Sequence, residues 1–431
     1  MISSPASRPA NLGLADARQR DAADALAGFS TRFHHPQFAG RRAIYLCGHS
    51  LGLAPLAAAD LVRQELDDWA RQAVLGHEHA RRPWIPYHRE AEAPLAALVG
   101  AREDEVVVMN SLTVNLHLMM TSFFRPAGQR DSILMEAGAF GSDRYAVVSQ
   151  LRLHGLNETD HLIELRPRAG EHCLHTQDIL DAVQRHARRL CLVLLPGVQY
   201  LTGQSFELAP IIAAAHRAGA VVGLDLAHAV GNVPLQLHDW DADFAVWCSY
   251  KYLNAGPGAI GGCFVHERYA RRFDLPRLAG WWGQDAQTRF QMGPQFQPIA
   301  GAQGWQLSNP PILAAAPLLA SLQIFAEAGL PALRRKSVEL TGWLEHALRS
   351  ELGAHVDIIT PSDAAQRGCQ LSLRLTCGAE RAREAFRRLS AAGVIADWRE
   401  PDIIRMAPVP LYNSFADCHA AVQALGGALA A

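Results

Sequence analysis

The sequence predicts an α/β protein whose large domain has a mostly parallel sheet flanked by helices, followed by a smaller α+β C-terminal domain. Apolar runs at 190–195, 221–226 and 244–248 have the length and composition of buried strands. A helical pattern at about 208–218 separates the first two runs, and such alternation is typical of parallel sheets. Because a chain of 431 residues exceeds the size at which one core usually stops growing, we expect two domains.

The domain boundary is expected near residue 310. The irregular stretch 287–308 ends at Asn309-Pro310-Pro311, which is a natural breakpoint. The elements expected after it are helices at about 312–328 and 331–350, strands at about 369–376, a helix at 379–392 and a closing helix from Phe415. We therefore expect an N-terminal segment, 1–75, that packs with the small domain, a large domain at 76–310 and the small domain at 311–431.

Composition and charge exclude several classes of protein. With 49% hydrophobic residues, 19% charged residues and a net charge of −2, nothing favours binding to nucleic acid or to an anionic membrane. The N-terminal residues lack an apolar core of signal-peptide length, and no apolar run is long enough to cross a bilayer. The eight cysteines form no CxxC pair and lie mostly in apolar runs. We expect a cytoplasmic protein with reduced cysteines and no metal site.

An acid and a lysine follow neighbouring predicted strands. Asp225 lies near the end of one apolar run, and Lys251 follows the next, Phe244 to Cys248. Pyridoxal phosphate (PLP) chemistry needs this pair, because a lysine binds the aldehyde and a carboxylate keeps the pyridine nitrogen protonated. From spacing alone the ordinary interpretation also stands, in which the Asp caps a loop and the Lys is solvated.

A phosphate could bind at the start of a predicted helix. Ser111 follows a strand at 106–109 and is a plausible N-cap, and the apolar residues after it recur at helical spacing. The free N–H groups of a first helical turn attract phosphate. An ordinary capped helix has the same pattern.

The segment Gly48-His49-Ser50-Leu51-Gly52 raises an alternative class, a serine hydrolase. It is a full G-x-S-x-G with a strand predicted before it and a helix after it. However, Ser50 leaves too little preceding chain for the strands that normally come before a nucleophile elbow, and no HGGG-type oxyanion loop is present.

Five segments in the same order carry a family resemblance: DLAHAVGN at 225–232, WCSYKYLNAG at 247–256, GWWG at 280–283, SNPPIL at 308–313 and APVPLYNSF at 407–415. The sequence resembles kynureninase from about Tyr45 to about Phe415. The resemblance implies the PLP-dependent aminotransferase-like fold (fold type I). It also implies hydrolysis of the Cβ–Cγ bond of kynurenine or 3-hydroxykynurenine, which gives anthranilate or its 3-hydroxy form and alanine.

The resemblance further implies roles at the cofactor. Lys251 and Tyr250 would be catalytic, Tyr250 as a phosphate contact and proton-transfer partner. The implied cofactor contacts are Leu112, Thr113, Phe140, Gly141, Ser142, Asp143, Asp225, His228, Tyr250, Lys251, Trp281 and Asn309. Trp281 and Asn309 would reach the phosphate from the partner subunit, so a homodimer with shared sites is expected.

The implied substrate contacts are Ser50, His77, Trp282, Asn309 and Arg405. Arg405 would form a two-pronged pair with the substrate carboxylate. His77 and Asn309 can hydrogen-bond a ring hydroxyl, and family members with His and Asn at these places tend to prefer 3-hydroxykynurenine, so the resemblance implies that preference. The sequence departs from the family at His49, usually Asn, at Pro196, where some relatives carry a hydroxyl, and at Trp282, often Phe.

Two further interpretations share Asp225 and Lys251. A cysteine desulfurase would need a mobile reactive cysteine, for which Cys369 and Cys377 are weak candidates. A non-catalytic PLP-fold binding protein would be expected to lack Lys251 or Arg405, and both are present.

Overall fold

The computed structural model describes residues 12–430, which form two compact units. The larger unit comprises Gly48–Pro331 and Thr360–Gly368. The smaller unit comprises the chain up to Cys47, Ala332–Ile359 and the chain from Cys369 onward. The first eleven residues of the expected N-terminal segment 1–75 lie outside the described residues, as does Ala431. The prediction that the N-terminus lacks a signal-peptide core falls largely on these residues.

A seven-stranded sheet forms the centre of the larger unit. Its strands, in order across the sheet, are Val106–Val108, Gly262–Val265, Phe244–Trp247, Val221–Asp225, Leu190–Pro196, Ser132–Glu136 and Leu162–Leu165. Only Gly262–Val265 is antiparallel to its neighbours, and the other neighbouring pairs are parallel. The prediction of a mostly parallel sheet is therefore confirmed. The three apolar runs used to predict it became strands whose ends differ from the prediction by one residue at most.

Helices accompany the strands of the larger unit. They are Leu56–Gln72, Gly76–His79, Glu92–Val99, Leu112–Phe123, Gly141–Leu153, Glu158–His161, Thr176–Arg185, Leu208–Arg217 and Ile312–Ala328. The apolar positions of Leu112–Phe123 are buried against the sheet, where the ring of Phe123 stacks on Phe244 with centroids 5.0 Å apart. This packing fixes the start of that helix relative to the strand that leads to Lys251.

The smaller unit is built on a four-stranded antiparallel sheet. Its strands, in order, are Val356–Ile358, Leu371–Leu375, Ile403–Met406 and Asp397–Arg399. Short strands pair Val394–Ile395 with Ile44–Tyr45 and Gln37–Phe38 with Arg41–Arg42. The helices are Leu14–Ala23, Leu330–Leu352 (from its third residue), Ala379–Ala391 and Phe415–Ala430. One apolar core joins these elements.

The compact units differ from the expected domain bounds of 1–75, 76–310 and 311–431. The helices Leu56–Gln72 and Ile312–Ala328 both belong to the larger unit, because they pack on one another. Composition at Asn309-Pro310-Pro311 marks a break in secondary structure, whereas the contacts place the division at Pro331 and Ala332. Across residues 12–430, no individual helix has the length and apolar character needed to cross a bilayer. The consecutive helices Ile312–Ala328 and Leu330–Leu352 meet that test only as a bent pair.

Candidate active site

The parallel strands deliver Asp225 and the segment with Lys251 to one cavity. Asp225 is the last residue of Val221–Asp225, and Lys251 follows the adjacent strand Phe244–Trp247 in a turn. Carboxyl ends of parallel strands meet at one edge of a sheet, which is where such folds place their ligands. The cavity has a volume of about 240 Å³ and is lined by Leu112, Thr113, Glu136, Phe140, Ser142, Asp143, Pro196, Val198, Tyr200, Asp225, Ala227, His228, Tyr250 and Lys251.

Lys251 is held among aromatic rings. Its Nζ lies 3.1 Å from Nε2 of His228, and 5.9 Å from the ring centroids of both Phe140 and Tyr250. Burial, with a smaller contribution from Cys248, raises the pKa of the Tyr250 hydroxyl. The Tyr250 hydroxyl is therefore protonated at physiological pH.

Asp225 and Asp143 form a buried acid pair. Asp225 Oδ1 accepts a hydrogen bond from the amide of Ala227 at 2.7 Å, while Asp143 Oδ1 is buried without a partner. Burial raises the pKa of Asp225, and it also raises that of Asp143, with the charge of Asp225 adding to the effect. Buried carboxyls of this kind are stabilised by a cationic N–H group nearby.

The helix Leu112–Phe123 opens onto the same cavity. Ser111 occupies its N-cap position with extended backbone, but contrary to the expected cap its side chain accepts no capping hydrogen bond. The first-turn N–H groups therefore keep their capacity to bind an anion. A Cβ on Gly261 would lie 3.2 Å from the amide nitrogen of Leu112, so glycine permits this close approach of the strand to the helix.

These residues fit PLP. The acid pair suits the ring nitrogen, Lys251 suits the aldehyde, and the turn that starts at Leu112 and Thr113 suits the phosphate. Phe140, Ser142 and His228, which the resemblance implies as cofactor contacts, also line the cavity, while Gly141 begins the helix that carries Asp143. Pro196 lines the cavity without a hydroxyl, in agreement with its departure from the family.

A second cavity of the larger unit contains four other predicted contacts, His77, Trp281, Trp282 and Asn309. It has a volume of about 360 Å³ and is lined by Val74, Leu75, His77, Glu78, Ile85, Trp281, Trp282, Phe290 and Asn309. The ring of His77 packs edge-on against Trp84, with centroids 5.4 Å apart. Among the described residues, the two cavities share no lining residue. Trp281 and Asn309 therefore do not line the cavity of Lys251 in the same chain.

Ser50 lines neither cavity, and its surroundings differ from a nucleophile elbow. The next helix begins only at Leu56, whereas an elbow enters its helix directly. The motif instead supports the lysine segment. The amide of Gly52 donates to the carbonyl of Tyr250 at 2.8 Å, and a Cβ on Gly52 would lie 2.4 Å from the carbonyl oxygen of Lys251.

Arg405 belongs to the smaller unit, on the strand Ile403–Met406. Its guanidinium is 1% exposed and donates from Nε and Nη2 to Oδ2 of Asp397, at 2.6 and 2.5 Å. Burial lowers the pKa of Arg405, against the charge of Asp397. Its role at the substrate carboxylate depends on its family motif and stays a prediction.

Glu136 also lines the first cavity, although it was not among the residues predicted from the sequence. It ends the strand Ser132–Glu136, is 5% exposed and accepts from Nε2 of Gln199 at 3.4 Å. Burial raises its pKa to about 7, the Gln199 bond opposes this, and the charge of Asp225 adds to it. The signal that identified Asp225, a carboxylate at the end of a buried strand, was present here too.

Two solved structures share this fold. The cysteine desulfurase CsdA of Escherichia coli superposes with a TM-score of 0.75 at 20% identity, over 94% of this chain and 98% of that one. A mutant of the lyase C-DES with glycine covalently linked to the PLP cofactor gives a TM-score of 0.73 at 17% identity, over 89% of this chain and 96% of that one. These similarities show the aminotransferase-like fold.

Sequence relatives are much closer. Residues 333–425 match the kynureninase C-terminal domain. Kynureninase of Xanthomonas campestris pv. campestris (strain B100) is 56% identical over 94% of this chain and 95% of its own length. That of Myxococcus xanthus (strain DK1622) is 56% identical over 95% and 96%, and that of Koribacter versatilis (strain Ellin345) is 54% identical over 94% and 95%. At this identity and coverage, the chain belongs to the kynureninase family.

Proposed function

We propose that the protein, a PLP-dependent hydrolase of carbon–carbon bonds, cleaves 3-hydroxykynurenine in preference to kynurenine. The observation that carries the preference is the second cavity, where His77 and Asn309 lie among apolar and aromatic side chains. Both residues can hydrogen-bond a hydroxyl on the substrate ring. A site with such polar groups disfavours an analogue that lacks the hydroxyl, because the polar groups are left unpaired.

The first cavity supplies the proton chemistry. When bound, PLP acts as an electron sink for the negative charge that develops on the substrate. Asp225 holds the proton of the ring nitrogen, and Lys251 accepts the α proton of the substrate at Nζ. We assign Tyr250 as a proton-transfer partner of Lys251, because it lines the same cavity and its ring centroid lies 5.9 Å from Nζ of Lys251. These roles stay predictions from the family motif and the lining of the cavity.

The substrate preference can be tested by the ratio of kcat/KM for the two substrates. We expect His77→Ala to lower kcat/KM for 3-hydroxykynurenine by about tenfold, the effect of one lost hydrogen bond, with a much smaller change for kynurenine. His79→Ala is the matched control, because His79 lies on the same short helix but is exposed and does not line the cavity. Equal losses for both substrates would contradict the proposal.

We further propose a cytoplasmic homodimer in which Trp281 and Asn309 of the partner subunit complete the cofactor site. Two observations support the dimer. Trp281 and Asn309 line a cavity separate from that of Lys251 in their own chain. Large apolar side chains around that second cavity are exposed, with Val74 at 73%, Phe290 at 65% and Leu75 at 60%. Clusters of this kind commonly mark protein interfaces.

Subunit complementation tests the shared site. Lys251→Ala and Trp281→Ala homodimers should each have little activity. After mixing and subunit exchange, one site in each heterodimer carries both native residues, so activity should return to about a quarter of the wild-type value, the product of half the dimers and half the sites. No recovery, despite exchange shown by differently tagged subunits, would refute the shared site.

The structure also bears on the alternative classes. Cys369 is buried, and Cys377 is half-buried in the turn that follows the strand Leu371–Leu375. A desulfurase needs an accessible, reactive thiol. The similarity to desulfurases at 17–20% identity concerns the fold alone. Release of sulfide from cysteine at a rate comparable with kynurenine cleavage would support assignment as a cysteine desulfurase.

A further inference from the structure

The indole of Trp282 is held by two residues that no sequence motif identified. Trp282 is 2% exposed and lines the second cavity. The guanidinium carbon of Arg289 lies 4.1 Å from its ring centroid. The ring of His88 approaches it edge-on, with centroids 6.4 Å apart and an interplanar angle of 68°. We call Trp282, Arg289 and His88 the Trp282 clamp.

Backbone hydrogen bonds fix Arg289 relative to the indole. Its side chain donates from Nη2 to the carbonyl of Trp282 at 2.6 Å and to that of Gln284 at 3.2 Å. In return, the carbonyl of Arg289 accepts a hydrogen bond from Nε1 of Trp281 at 3.1 Å. The guanidinium plane, the Trp282 ring and the Trp281 ring are therefore oriented together.

The buried charge of Arg289 is stabilised by groups other than a carboxylate. It is 5% exposed, and within residues 12–430 no carboxylate forms an ion pair with it. Burial lowers its pKa, Arg89 lowers it further, and Asp285 opposes both. A buried cation without an acid is costly unless other groups stabilise it. The electron-rich face of an indole and two carbonyls do so here.

His88 adds no competing charge to the clamp. Burial lowers its pKa to about 4, and the charges of Arg89 and Arg289 act in the same direction. At physiological pH the imidazole is therefore neutral and packs against the indole as an aromatic ring. The cation of the clamp is Arg289 alone.

We propose that Arg289 is a positioning residue for the aryl ring of the substrate. It fixes the plane of Trp282, which forms a wall of the cavity that receives that ring. The inference rests on the proposed function, which places the ring near His77 and Asn309. An indole that could turn would have to be ordered on each binding event, so the substrate would bind more weakly. The steps at Lys251 would be unaffected.

Steady-state kinetics of Arg289→Met and Arg289→Lys test the proposal. We expect Arg289→Met to raise KM for 3-hydroxykynurenine by about tenfold, with kcat changed by less than about threefold, the scale of a lost desolvated cation–π contact. Arg289→Lys keeps the charge but not the planar fork, so an intermediate rise is expected. Arg89→Met is the control. Arg89 is exposed, and its substitution removes a nearby charge without changing the contact between Arg289 and the indole. It should leave KM unchanged.

A double-mutant cycle with Trp282→Phe separates positioning from general damage. If Arg289 acts through the indole, Arg289→Met should raise KM by less than about threefold in the Trp282→Phe background. An equal rise in both backgrounds, or a fall in kcat at unchanged KM, overturns the inference. Arg289→Lys serves if Arg289→Met does not fold, as judged by circular dichroism.

A product-binding measurement keeps this test distinct from the proposed function. If the wild-type protein cleaved neither substrate, the proposed function would fail. The dissociation constant of anthranilate would still report on the cavity, and it should rise about tenfold in Arg289→Met. If anthranilate bound both proteins equally, the inference would be overturned whatever the activity.

Discussion

Asp243 should be among the most sensitive positions of the larger unit, because one buried carboxylate serves four donors. Its Oδ2 accepts from the amide of Val222 at 2.6 Å and from Nε2 of His216 at 2.8 Å. Its Oδ1 accepts from the hydroxyl of Tyr269 at 2.6 Å and from Nη2 of Arg268 at 3.0 Å. Burial alone would raise the pKa of Asp243, but the hydrogen bonds from His216, Tyr269 and Val222, that of His216 first, hold it below the ordinary value.

The substitution Asp243→Asn keeps the shape and removes the charge. An asparagine has one acceptor oxygen, so whichever way the amide turns, its NH₂ group faces two of the four donors. Removing one partner of a buried ion pair costs about 3–5 kcal/mol. The larger unit has about 300 residues, for which the average unfolding entropy gives about 1.6 °C per kcal/mol, so the unfolding midpoint should fall by about 5–8 °C.

Thermal unfolding of the apoprotein, followed by circular dichroism, measures the effect. The matched control is Asp241→Asn, because Asp241 also pairs with Arg268 but its side chain is 56% exposed. Exposed pairs are worth about 0–1 kcal/mol, so the control should unfold near the wild-type temperature. Equal midpoints for the two variants would refute the view that the buried donors determine the effect.

Three further predictions follow from contacts and burial. Gly52→Ala should destabilise the protein by about 1–3 kcal/mol and lower its turnover, because the added Cβ would displace the backbone of Lys251. Gly427 has open space around it, so Gly427→Ala should change neither stability nor turnover in unfolding and activity assays. Glu136→Gln should stabilise the apoprotein at pH 8 by up to about 3 kcal/mol, because the folded pKa of Glu136 is raised to about 7 and the wild-type protein therefore loses stability as pH rises from about 4.5 to 7. Denaturation at pH 8 and pH 5 should show a gain that falls to less than about 1 kcal/mol at the lower pH. His216→Gln should be less stable than wild type below pH 6.5, and denaturant titrations should show the difference shrinking as pH rises through the raised pKa of His216, which its hydrogen bond to Asp243 causes.

Site residues could be predicted from the sequence where the end of a predicted strand determines their position. Asp225 and Lys251 were predictable, because apolar runs place both at the carboxyl edge of a parallel sheet. Glu136 also ends a buried strand, but it lies outside the segments that carry the family resemblance, and it was not predicted. Arg289 and His88 had no signal, since their contact with Trp282 depends on the path of an irregular segment. Chain contacts, which sequence spacing does not reveal, also placed Leu56–Gln72 in the larger unit.

The strand Val221–Asp225 has a stabilising contact near its start and, at its end, the carboxylate for which we propose a chemical role. Asp243 binds the amide of Val222 near the start of the strand Val221–Asp225, while the carboxyl group of Asp225 projects at its end. Three residues of extended chain span about 10 Å, the distance beyond which substitutions usually act independently. Asp243→Asn should therefore lower the unfolding midpoint while leaving the kinetic constants of the folded enzyme within about twofold. An unexpected loss of kcat at temperatures well below unfolding would mean that the strand transmits a shift along its length to Asp225.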